Sequence, residues 1–461
     1  MTENQILKIN KKSFIIVCII LGILMTLTYI LTYLVPKGEF VEGVYQTIPS
    51  FNLPVWKWIG APVLVLGSDS GLNIIVISLF IIILSGSFQV MNKTDGISSI
   101  IGYLVNRFSN NKKLLMSLIV LLFMGLGAFF GIFEEAVTLL PIIVLLALSL
   151  GWDTFTGLGM CLLAAGFGFS TAITNPFSIG LGSTVMGISL MEGMGYRLIL
   201  FFIIYGLLLL FLFIHIKKIE KKPQSSITYE SDEEKRKDML FHLEQNPRAL
   251  RVYTIFFLIL LALIILSSIL PFLQGYSIPI IALAFLVGIF ICGLRLSHSF
   301  LTILKWFLSG MKAMAPAIIM ILMAASIQYI LNEGKVLDTL IYQLESVFAG
   351  GSKFKAVLFI YLLILIIQFF IGSASAKIPL LLPILSQLAT NVGITKNIAL
   401  LAFVFGDGFT DLIYPTNPVL LIALGMVGLS YPKWFKKTGL LQLAILIITV
   451  VFLYIAFLIN Y

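Results

Sequence analysis

Long apolar runs separated by short polar segments occupy most of the chain. The first extends from about Ser13 to Val35; it is too long for a signal-peptide core and lacks a small-residue cleavage site. Comparable runs follow at 72–90, 114–130, 198–216, 252–270, 278–294, 315–331, 356–370 and 439–458. A helix needs about 20 residues to cross the hydrocarbon core of a bilayer. The pattern therefore predicts an all-α polytopic membrane protein with about 11 transmembrane helices.

Two other stretches, 95–109 and 336–348, carry apolar residues at helical spacing between polar ones. In the first, Ile97, Ile100 and Ile101 would share one face of a helix. A helix of this kind lies in the interface between lipid and water instead of crossing the bilayer. We predict an amphipathic arm at each stretch.

One segment of the chain occurs twice. Gly166–Pro176 and Gly408–Pro418 both begin with Gly-Phe and end with Thr-Asn-Pro, at an offset of 416 − 174 = 242. The same offset relates upstream pairs: Pro141 and Pro383, Leu146 and Leu388, Gly151 and Gly393, Leu158 and Leu400. Matches at one constant offset indicate an internal duplication and hence two structural repeats.

Each Thr-Asn-Pro predicts a break in an apolar helix. Asn is a favoured N-cap and Pro suits the first helical position, so Asn175-Pro176 and Asn417-Pro418 mark fresh helix starts. We predict broken helices at 157–190 and 397–428. A broken helix at membrane depth is tolerated only inside protein or beside water, and matched breaks in two halves indicate a transporter's binding site. The alternative is a pair of proline kinks that serve packing.

A shorter interrupted segment precedes each broken helix. The stretch 131–150 begins with acidic residues and has Pro141 midway, and 372–392 begins Gly-Ser-Ala-Ser-Ala-Lys. Neither matches a clean span, so we predict a re-entrant hairpin in each. The first membrane half is then 1–216 and the second 252–461.

The segment between the halves, 217–251, is polar and charged. It opens with Lys217, Lys218, Lys221 and Lys222 and has few apolar residues to bury, which predicts a solvated cytoplasmic linker. Three lysines before the first run place the N-terminus on the same side by the positive-inside rule. Counting every apolar run as one crossing, however, separates corresponding spans by six crossings, which would make the repeats parallel.

Composition narrows the function classes. The chain is 59% hydrophobic and 11% charged, and its net charge of +9 resides beside apolar runs and in the linker, so we expect a lipid environment and no nucleic-acid partner. Cys18, Cys161 and Cys292 have no paired spacing, which predicts neither a disulfide framework nor a metal site. We find no nucleophile–base pair of an enzyme and no ring-forming selectivity motif of a channel.

These motifs resemble a known family. Phe-Glu-Glu-Ala with Leu-Leu-Pro, Gly-Ser-Ala-Ser-Ala-Lys-Ile-Pro and Tyr-Pro-Thr-Asn-Pro are similar to the C4-dicarboxylate anaerobic carriers of the ion transporter superfamily, nearest their YfcC-like basic amino acid antiporter branch. The resemblance implies an elevator-type secondary carrier of the plasma (inner) membrane, a homodimer, with inverted repeats and a mobile domain made of hairpins and broken helices.

Ionisable residues in apolar segments are functional hypotheses because insertion costs about 2.5–3.5 kcal/mol each. Four acids, Glu134, Glu135, Asp407 and Asp411, accompany one base, Lys377. Lys377 stands at the repeat position of Glu135 (135 + 242 = 377), so these two could pair, as substrate-binding residues or as a structural bridge. The acidic excess favours a cationic amino acid, or a coupled Na⁺ or H⁺, over a dicarboxylate.

The sequence predicts that different groups bind the negative and the positive ends of the substrate. Free N–H groups at the two helix starts and neutral donors would bind a substrate carboxylate, and an acid would meet its ammonium or guanidinium. The donors are Thr174, Asn175, Ser373, Ser375, Thr416 and Asn417. Asp407 and Asp411, four residues apart, would hold the cation, with a solvated cavity wall as the alternative. We expect no cofactor and a small substrate such as arginine or ornithine, with C4-dicarboxylates, short-chain fatty acids or small peptides as alternatives.

Overall fold

The structure, a computed structural model, describes residues 11–41, 44–49, 51–68, 71–108, 110–240, 246–273, 276–339, 342 and 353–461. The first half contains helices Lys11–Leu34, Val55–Ile59, Ala61–Leu64, Gly71–Lys93, Gly96–Arg107, Lys112–Phe130, Leu140–Ser149, Thr154–Leu158, Ala164–Thr171, Leu181–Met186 and Met194–Lys221. The linker contains Tyr229–Leu240. The second half contains Pro247–Ile269, Ser277–Arg295, Phe300–Glu333, Lys353–Phe370, Ala374–Val392, Lys396–Gly408, Pro418–Val427 and Tyr431–Leu458.

Short helical turns and one sheet complete the described elements. Turns of 3₁₀ helix lie at Val65–Gly67, Glu135–Thr138, Pro223–Ser225, Pro271–Leu273 and Phe409–Leu412, and π turns at Gly159–Leu163 and Pro176–Gly180. Strands Gly38–Val41 and Val44–Thr47 follow the first helix and pair antiparallel, with Gly38 opposite Thr47. The mainly helical prediction is confirmed.

Six helices in the described part are long and apolar enough to cross a membrane. They are Ile74–Lys93, Lys112–Phe130, Thr154–Thr171, Met194–Lys221, Lys353–Phe370 and Tyr431–Leu458. Shorter apolar helices include Leu140–Ser149 and Pro418–Val427. The chain is therefore a multi-pass membrane protein, and the number of 11 crossings stays a prediction.

Each hairpin includes the helix before it and is therefore longer than the predicted ranges 131–150 and 372–392. The stretch 131–150 holds a 3₁₀ turn and one ten-residue helix, and 374–392 is a single continuous helix, so neither doubles back on itself. Instead, Lys112 Nζ donates to the Leu150 carbonyl at 2.9 Å, and a side chain at Gly393 would stand 3.3 Å from Lys353 Nζ. The start of each preceding helix thus meets the end of the following one, and the chain reverses at 131–139 and at 371–373.

We call residues 131–139 the first hairpin tip and residues 371–373 the second hairpin tip. The arms of the first hairpin are Lys112–Phe130 and Leu140–Ser149, and those of the second are Lys353–Phe370 and Ala374–Val392. The sequence predicted the first arm of each as a separate span, and both arms have the length and composition of a crossing.

The helices form two packed groups. In one, Phe300–Glu333 lies along Gly71–Lys93 and Lys11–Leu34, and the approach is close because a side chain at Gly310 would stand 2.5 Å from the Ser85 carbonyl. In the other, each hairpin packs on the broken helix of its half. Pro418–Val427 touches Phe300–Glu333 and connects the groups. We call the second group the hairpin domain and the first the scaffold.

The amphipathic arms are covered unequally by the structure. The first is helix Gly96–Arg107, in which Ile97 and Ile101 are buried. Most of the second, 336–348, lies outside the described residues.

Residues 226–236 of the linker are docked on the hairpin domain, which corrects the interpretation of the whole linker as a solvated segment. Asp232 is 2% exposed and accepts from the Thr154 backbone N–H at 3.0 Å and from the Thr228 hydroxyl at 2.6 Å. Lys235 Nζ donates to Thr154 Oγ1 at 3.0 Å and to the Val427 carbonyl at 2.9 Å. The linker therefore joins the start of one broken helix to the end of the other.

A second buried carboxylate anchors the same region. Asp153 accepts from the Ser226 hydroxyl at 2.6 Å and the Thr156 N–H at 2.8 Å, and His215 Nε2 lies 3.0 Å from it. Burial raises the pKa of Asp153, but His215 and these hydrogen bonds outweigh it and lower the pKa to about 2. Burial raises the pKa of Asp232.

Candidate functional site

The two broken helices cross at positions related by the repeat offset. A side chain at Gly166 would stand 2.7 Å from Leu412 Cδ1, and one at Gly408 would stand 2.7 Å from Ser170 Cα. Adding 242 turns 166 into 408 and 170 into 412, so the two contacts are reciprocal. Between them, Phe167 packs on Phe409, its own repeat equivalent, with ring centroids 6.2 Å apart. Glycine at both positions permits this close crossing.

The first break, 172–175, follows helix Ala164–Thr171 and is held by the first hairpin. Ala172 adopts a left-handed conformation (φ 44°) that ends the helix. The Thr174 N–H donates to the Ala128 carbonyl at 3.1 Å, and its hydroxyl donates to the Phe129 carbonyl at 2.9 Å. These bonds satisfy carbonyls at the end of the first hairpin arm, which would otherwise lack partners.

The second break, 413–417, has the same cap chemistry. Asn417 Oδ1 accepts from the Val419 N–H at 2.9 Å, as Asn175 Oδ1 accepts from the Phe177 N–H at 2.9 Å. Asn417 Oδ1 also accepts from the Leu420 N–H at 3.2 Å. These N–H groups are therefore occupied, which corrects the expectation that the helix starts present them free to a substrate. The asparagines are structural caps in this conformation.

The amide groups of the two asparagines reveal an asymmetry between the repeats. Asn175 Nδ2 donates to the Phe169 carbonyl at 3.2 Å, whereas Asn417 Nδ2 donates to the Asp411 carboxylate at 2.6 Å. Asp411 occupies the repeat position of Phe169 (169 + 242 = 411). It also accepts from Gln368 Nε2 at 2.5 Å. At this repeat position the second half therefore has the Asp411 carboxylate, and the first half has the Phe169 ring.

Lys377 is paired with Asp407. The two side chains form an ion pair, with Lys377 fully buried and Asp407 1% exposed. The predicted partner of Lys377, Glu135, has a side chain outside the described ones, so that pairing stays a prediction. Asp407 lies in the last turn of helix Lys396–Gly408 and Asp411 lies in the following 3₁₀ turn; both are buried. A solvated cavity wall does not describe these two carboxylates here.

The remaining predicted residues form a more accessible set. Thr174, Thr416 and Glu134 are half-buried, and Ser373 at the second hairpin tip is exposed. The side chain of Ser375 is outside the described ones. The structure thus has half-buried hydroxyls at both breaks, and a buried cluster of Lys377, Asp407, Asp411, Asn417 and Gln368 beside the second break.

Gln368 was missed by the sequence reasoning. It is 2% exposed, and besides Asp411 its Nε2 lies 3.4 Å from the Gly372 carbonyl at the second hairpin tip. The available signal was an amide near the end of the apolar run 356–370, where polar groups are expensive. Its repeat equivalent is Leu126 (126 + 242 = 368). In the part of the chain that the structure describes, no group of three or more His, Cys, Asp or Glu side chains could hold a metal ion.

Comparisons with known proteins connect the chain with membrane carriers. The model of the family described as C4-dicarboxylate anaerobic carrier matches residues 14–458. An Escherichia coli (strain K12) protein named "Putative basic amino acid antiporter YfcC" is 28% identical over 390 residues, which cover 80% of this chain and 75% of that protein. An uncharacterized Haemophilus influenzae protein is 27% identical over 415 residues, covering 87% of this chain and 78% of its own.

Two solved transporter structures are more distantly similar. The Alcanivorax borkumensis YdaH transporter has a TM-score of 0.44 and 18% identity, covering 96% of this chain and 98% of that one. Neisseria gonorrhoeae MtrF has a TM-score of 0.41 and 15% identity, covering 94% and 93%. Both scores are too low for a shared fold to be asserted.

Proposed function

This chain belongs to the C4-dicarboxylate anaerobic carrier family, and we propose that it is a secondary active transporter of small carboxylate-bearing metabolites, amino acids such as arginine or ornithine foremost. The observation that carries the proposal is the crossing of two matched broken helices beside a buried cluster with one excess negative charge. Lys377 compensates Asp407, whereas Asp411 accepts hydrogen bonds from two neutral amides, those of Gln368 and Asn417.

The hairpin geometry supports inverted repeats. Taking Lys112–Phe130 and Lys353–Phe370 as hairpin arms removes one crossing from each half. Five crossings instead of six then separate corresponding spans, and an odd number inverts the second half relative to the first. Helix Leu140–Ser149 has ten residues and a length of about 15 Å, half the hydrocarbon thickness, which suits a re-entrant arm.

The accessible polar groups favour binding at the two breaks. The Thr416 hydroxyl can donate to a carboxylate, and the Thr174 hydroxyl can do so once it turns from the Phe129 carbonyl. The positive ends of the half-helices add a favourable field although their first N–H groups are capped. The excess carboxylate of the cluster needs a positive charge, which the substrate's own cation or a coupled Na⁺ or H⁺ would supply. Movement of the hairpin domain against the scaffold, as in an elevator carrier, would expose the site to either side, driven by exchange or by a Na⁺ or H⁺ gradient.

The family model favours a second candidate substrate. A C4-dicarboxylate would use the same hydroxyls and half-helix ends, with the excess acid neutralised by a coupled cation. Short-chain fatty acids and small peptides are weaker candidates, and a channel is weaker still. Residence in the plasma (inner) membrane, a cytoplasmic N-terminus and linker, and a homodimer are part of the same proposal.

Counterflow in proteoliposomes tests the proposal. Vesicles loaded with unlabelled arginine or ornithine should accumulate labelled basic amino acid, while succinate-loaded vesicles should not accumulate labelled succinate. Accumulation of succinate alone would keep the carrier function and contradict the substrate class. Failure of both exchanges in protein that is folded and correctly inserted would contradict the proposed function for these substrates.

A further inference from the structure

The Gln368 amide donates a hydrogen bond to Asp411, but its own oxygen receives none in the described part of the chain. Asp411 Oδ1 accepts from Gln368 Nε2 at 2.5 Å and from Asn417 Nδ2 at 2.6 Å. Oε1 of the same Gln368 amide is buried and has no hydrogen-bond partner in the described part of the chain. Asp411 is 4% exposed and Gln368 2% exposed, so bulk water does not supply the missing donor.

The orientation of both amides is fixed by their other bonds. Asn417 Oδ1 already accepts from two backbone N–H groups, so its Nδ2 is the atom that faces Asp411. Turning the Gln368 amide over would place a carbonyl oxygen 2.5 Å from a carboxylate oxygen and would lose the contact with the Gly372 carbonyl. The acceptor without a donor is therefore a property of the site.

Gln368 Oε1 needs a hydrogen-bond donor, which a protonated Asp411 can supply and an ionised one cannot. An ionised Asp411 only accepts, whereas a protonated one retains its acceptor and adds one O–H donor. A carboxylic acid and a primary amide complement each other, N–H to C=O and O–H to O=C. One proton on Oδ2 would thus give Gln368 Oε1 its donor and remove the excess charge from the buried cluster.

The charged groups near Asp411 in the described part of the chain also favour its neutral, protonated form. They are Asp407, which raises the cost of a second negative charge, and Lys377, which is already committed to Asp407. The repeat positions of Asp411 and Gln368 in the first half are Phe169 and Leu126, which cannot hold a proton. The duplication therefore supplies one such site per chain.

We propose that Asp411 carries a proton in this conformation, shared with Gln368 Oε1, and that this proton is the coupling ion. The second part rests on the transporter function proposed above. The proton enters from solvent onto Oδ2, crosses with the hairpin domain, and leaves to solvent on the other side. A bound Na⁺ is the competing occupant, and it would need several oxygen ligands arranged around it where the proton needs one.

Infrared spectroscopy of the protein in lipid at pH 7 tests the first part without any substrate. An ordinary carboxyl, with a pKa of about 3.9, is ionised there and gives no carboxylic acid C=O band. Wild type should show such a band, shifted in D₂O, that disappears in Asp411→Asn. The control Asp95→Asn changes an exposed carboxyl at a left-handed position that Asn tolerates, and it should keep the band. An identical spectrum in wild type and Asp411→Asn would overturn the proposal.

Transport tests the second part. Asn at 411 mimics the protonated acid, since its amide can donate to Gln368 Oε1 and accept from Gln368 Nε2. In Asp411→Asn we expect complete loss of accumulation driven by a pH gradient, together with counterflow that no longer changes with pH. Wild-type accumulation driven by Na⁺ and indifferent to pH would overturn the proton assignment. Absence of counterflow in wild type would count against the proposed function, and the infrared result would still decide whether Asp411 holds a proton.

Discussion

The Lys377–Asp407 ion pair offers a quantitative test of the buried cluster. Both side chains are excluded from solvent, so removing one partner leaves a charge that water cannot stabilise. We consider Lys377→Met, Asp407→Asn and the double variant. Breaking a buried pair by removing one partner costs about 3–5 kcal/mol, whereas replacing both partners is often close to neutral.

The magnitude can be worked out a second way. In Lys377→Met, Asp407 can escape its burial by binding a proton, which at pH 7 costs about 4 kcal/mol for a carboxyl with an ordinary pKa of about 3.9, at about 1.36 kcal/mol per pH unit. In Asp407→Asn, the buried Lys377 ammonium is left without its partner, which costs about 3–5 kcal/mol. The double variant has neither cost and should lose only about 1–3 kcal/mol for the amide left without a partner.

Equilibrium unfolding in mixed detergent micelles, followed by tryptophan fluorescence, measures these differences. We expect each single variant to lose about 3–5 kcal/mol and the double variant to be more stable than either. The loss in Lys377→Met should shrink as the pH falls toward about 4, because protonating Asp407 then costs less. Losses below about 1 kcal/mol that add up in the double variant would refute the buried pair.

Three further predictions concern packing and the docked linker. Gly168→Ala should destabilise the protein by about 1–3 kcal/mol in the same assay, since its Cβ would meet a backbone carbonyl of the neighbouring helix. Asp232→Ala should release the linker, losing about 1–3 kcal/mol and raising the rate of proteolysis within it. Asp153→Asn should lose about 2–3 kcal/mol at pH 7, because a folded pKa of about 2 lies below the unfolded value of about 3.9.

Each of these has a matched control and a contrary result. Gly125→Ala enters open space and should be harmless, so equal effects at both glycines would contradict the close packing. Glu230→Ala removes an exposed acid of the linker, and equal proteolysis of the two linker variants would count against docking through Asp232. The loss in Asp153→Asn should vanish as the pH falls from about 4 to about 2; a loss independent of pH would assign it to packing.

The repeated Thr-Asn-Pro motif was sufficient to locate both breaks, because N-cap and proline preferences act over a few residues. Long-range geometry was not accessible in this way. Helix Lys112–Phe130 has the length and composition of a crossing, and only its contact with Leu150 identifies it as a hairpin arm. The linker was misjudged because its composition is polar, while the docking depends on individual side chains such as Asp232.

Pairing within the site was equally beyond the sequence. The repeat offset suggested Glu135 as the partner of Lys377, a pairing that stays a prediction, and it gave no sign of the ion pair between Lys377 and Asp407. Gln368 gave a faint signal, one amide in an apolar run, and its role depends on the reversal at the second hairpin tip. The helix-start N–H groups were expected to be free because the sequence does not show that each asparagine caps its own helix.

Substrate affinity at the two breaks tests the central claim most directly. We would measure counterflow of labelled arginine or ornithine, and of succinate in parallel, in wild type, in the double variant Thr174→Ala/Thr416→Ala, and in the control Thr390→Ala. Thr390 is an exposed hydroxyl at the far end of the second hairpin helix, bonded within that helix. Loss of two hydroxyl contacts should weaken apparent affinity by about tenfold, at roughly 0.7 kcal/mol each, with the control unchanged. Wild-type affinity in the double variant would show that the substrate binds elsewhere.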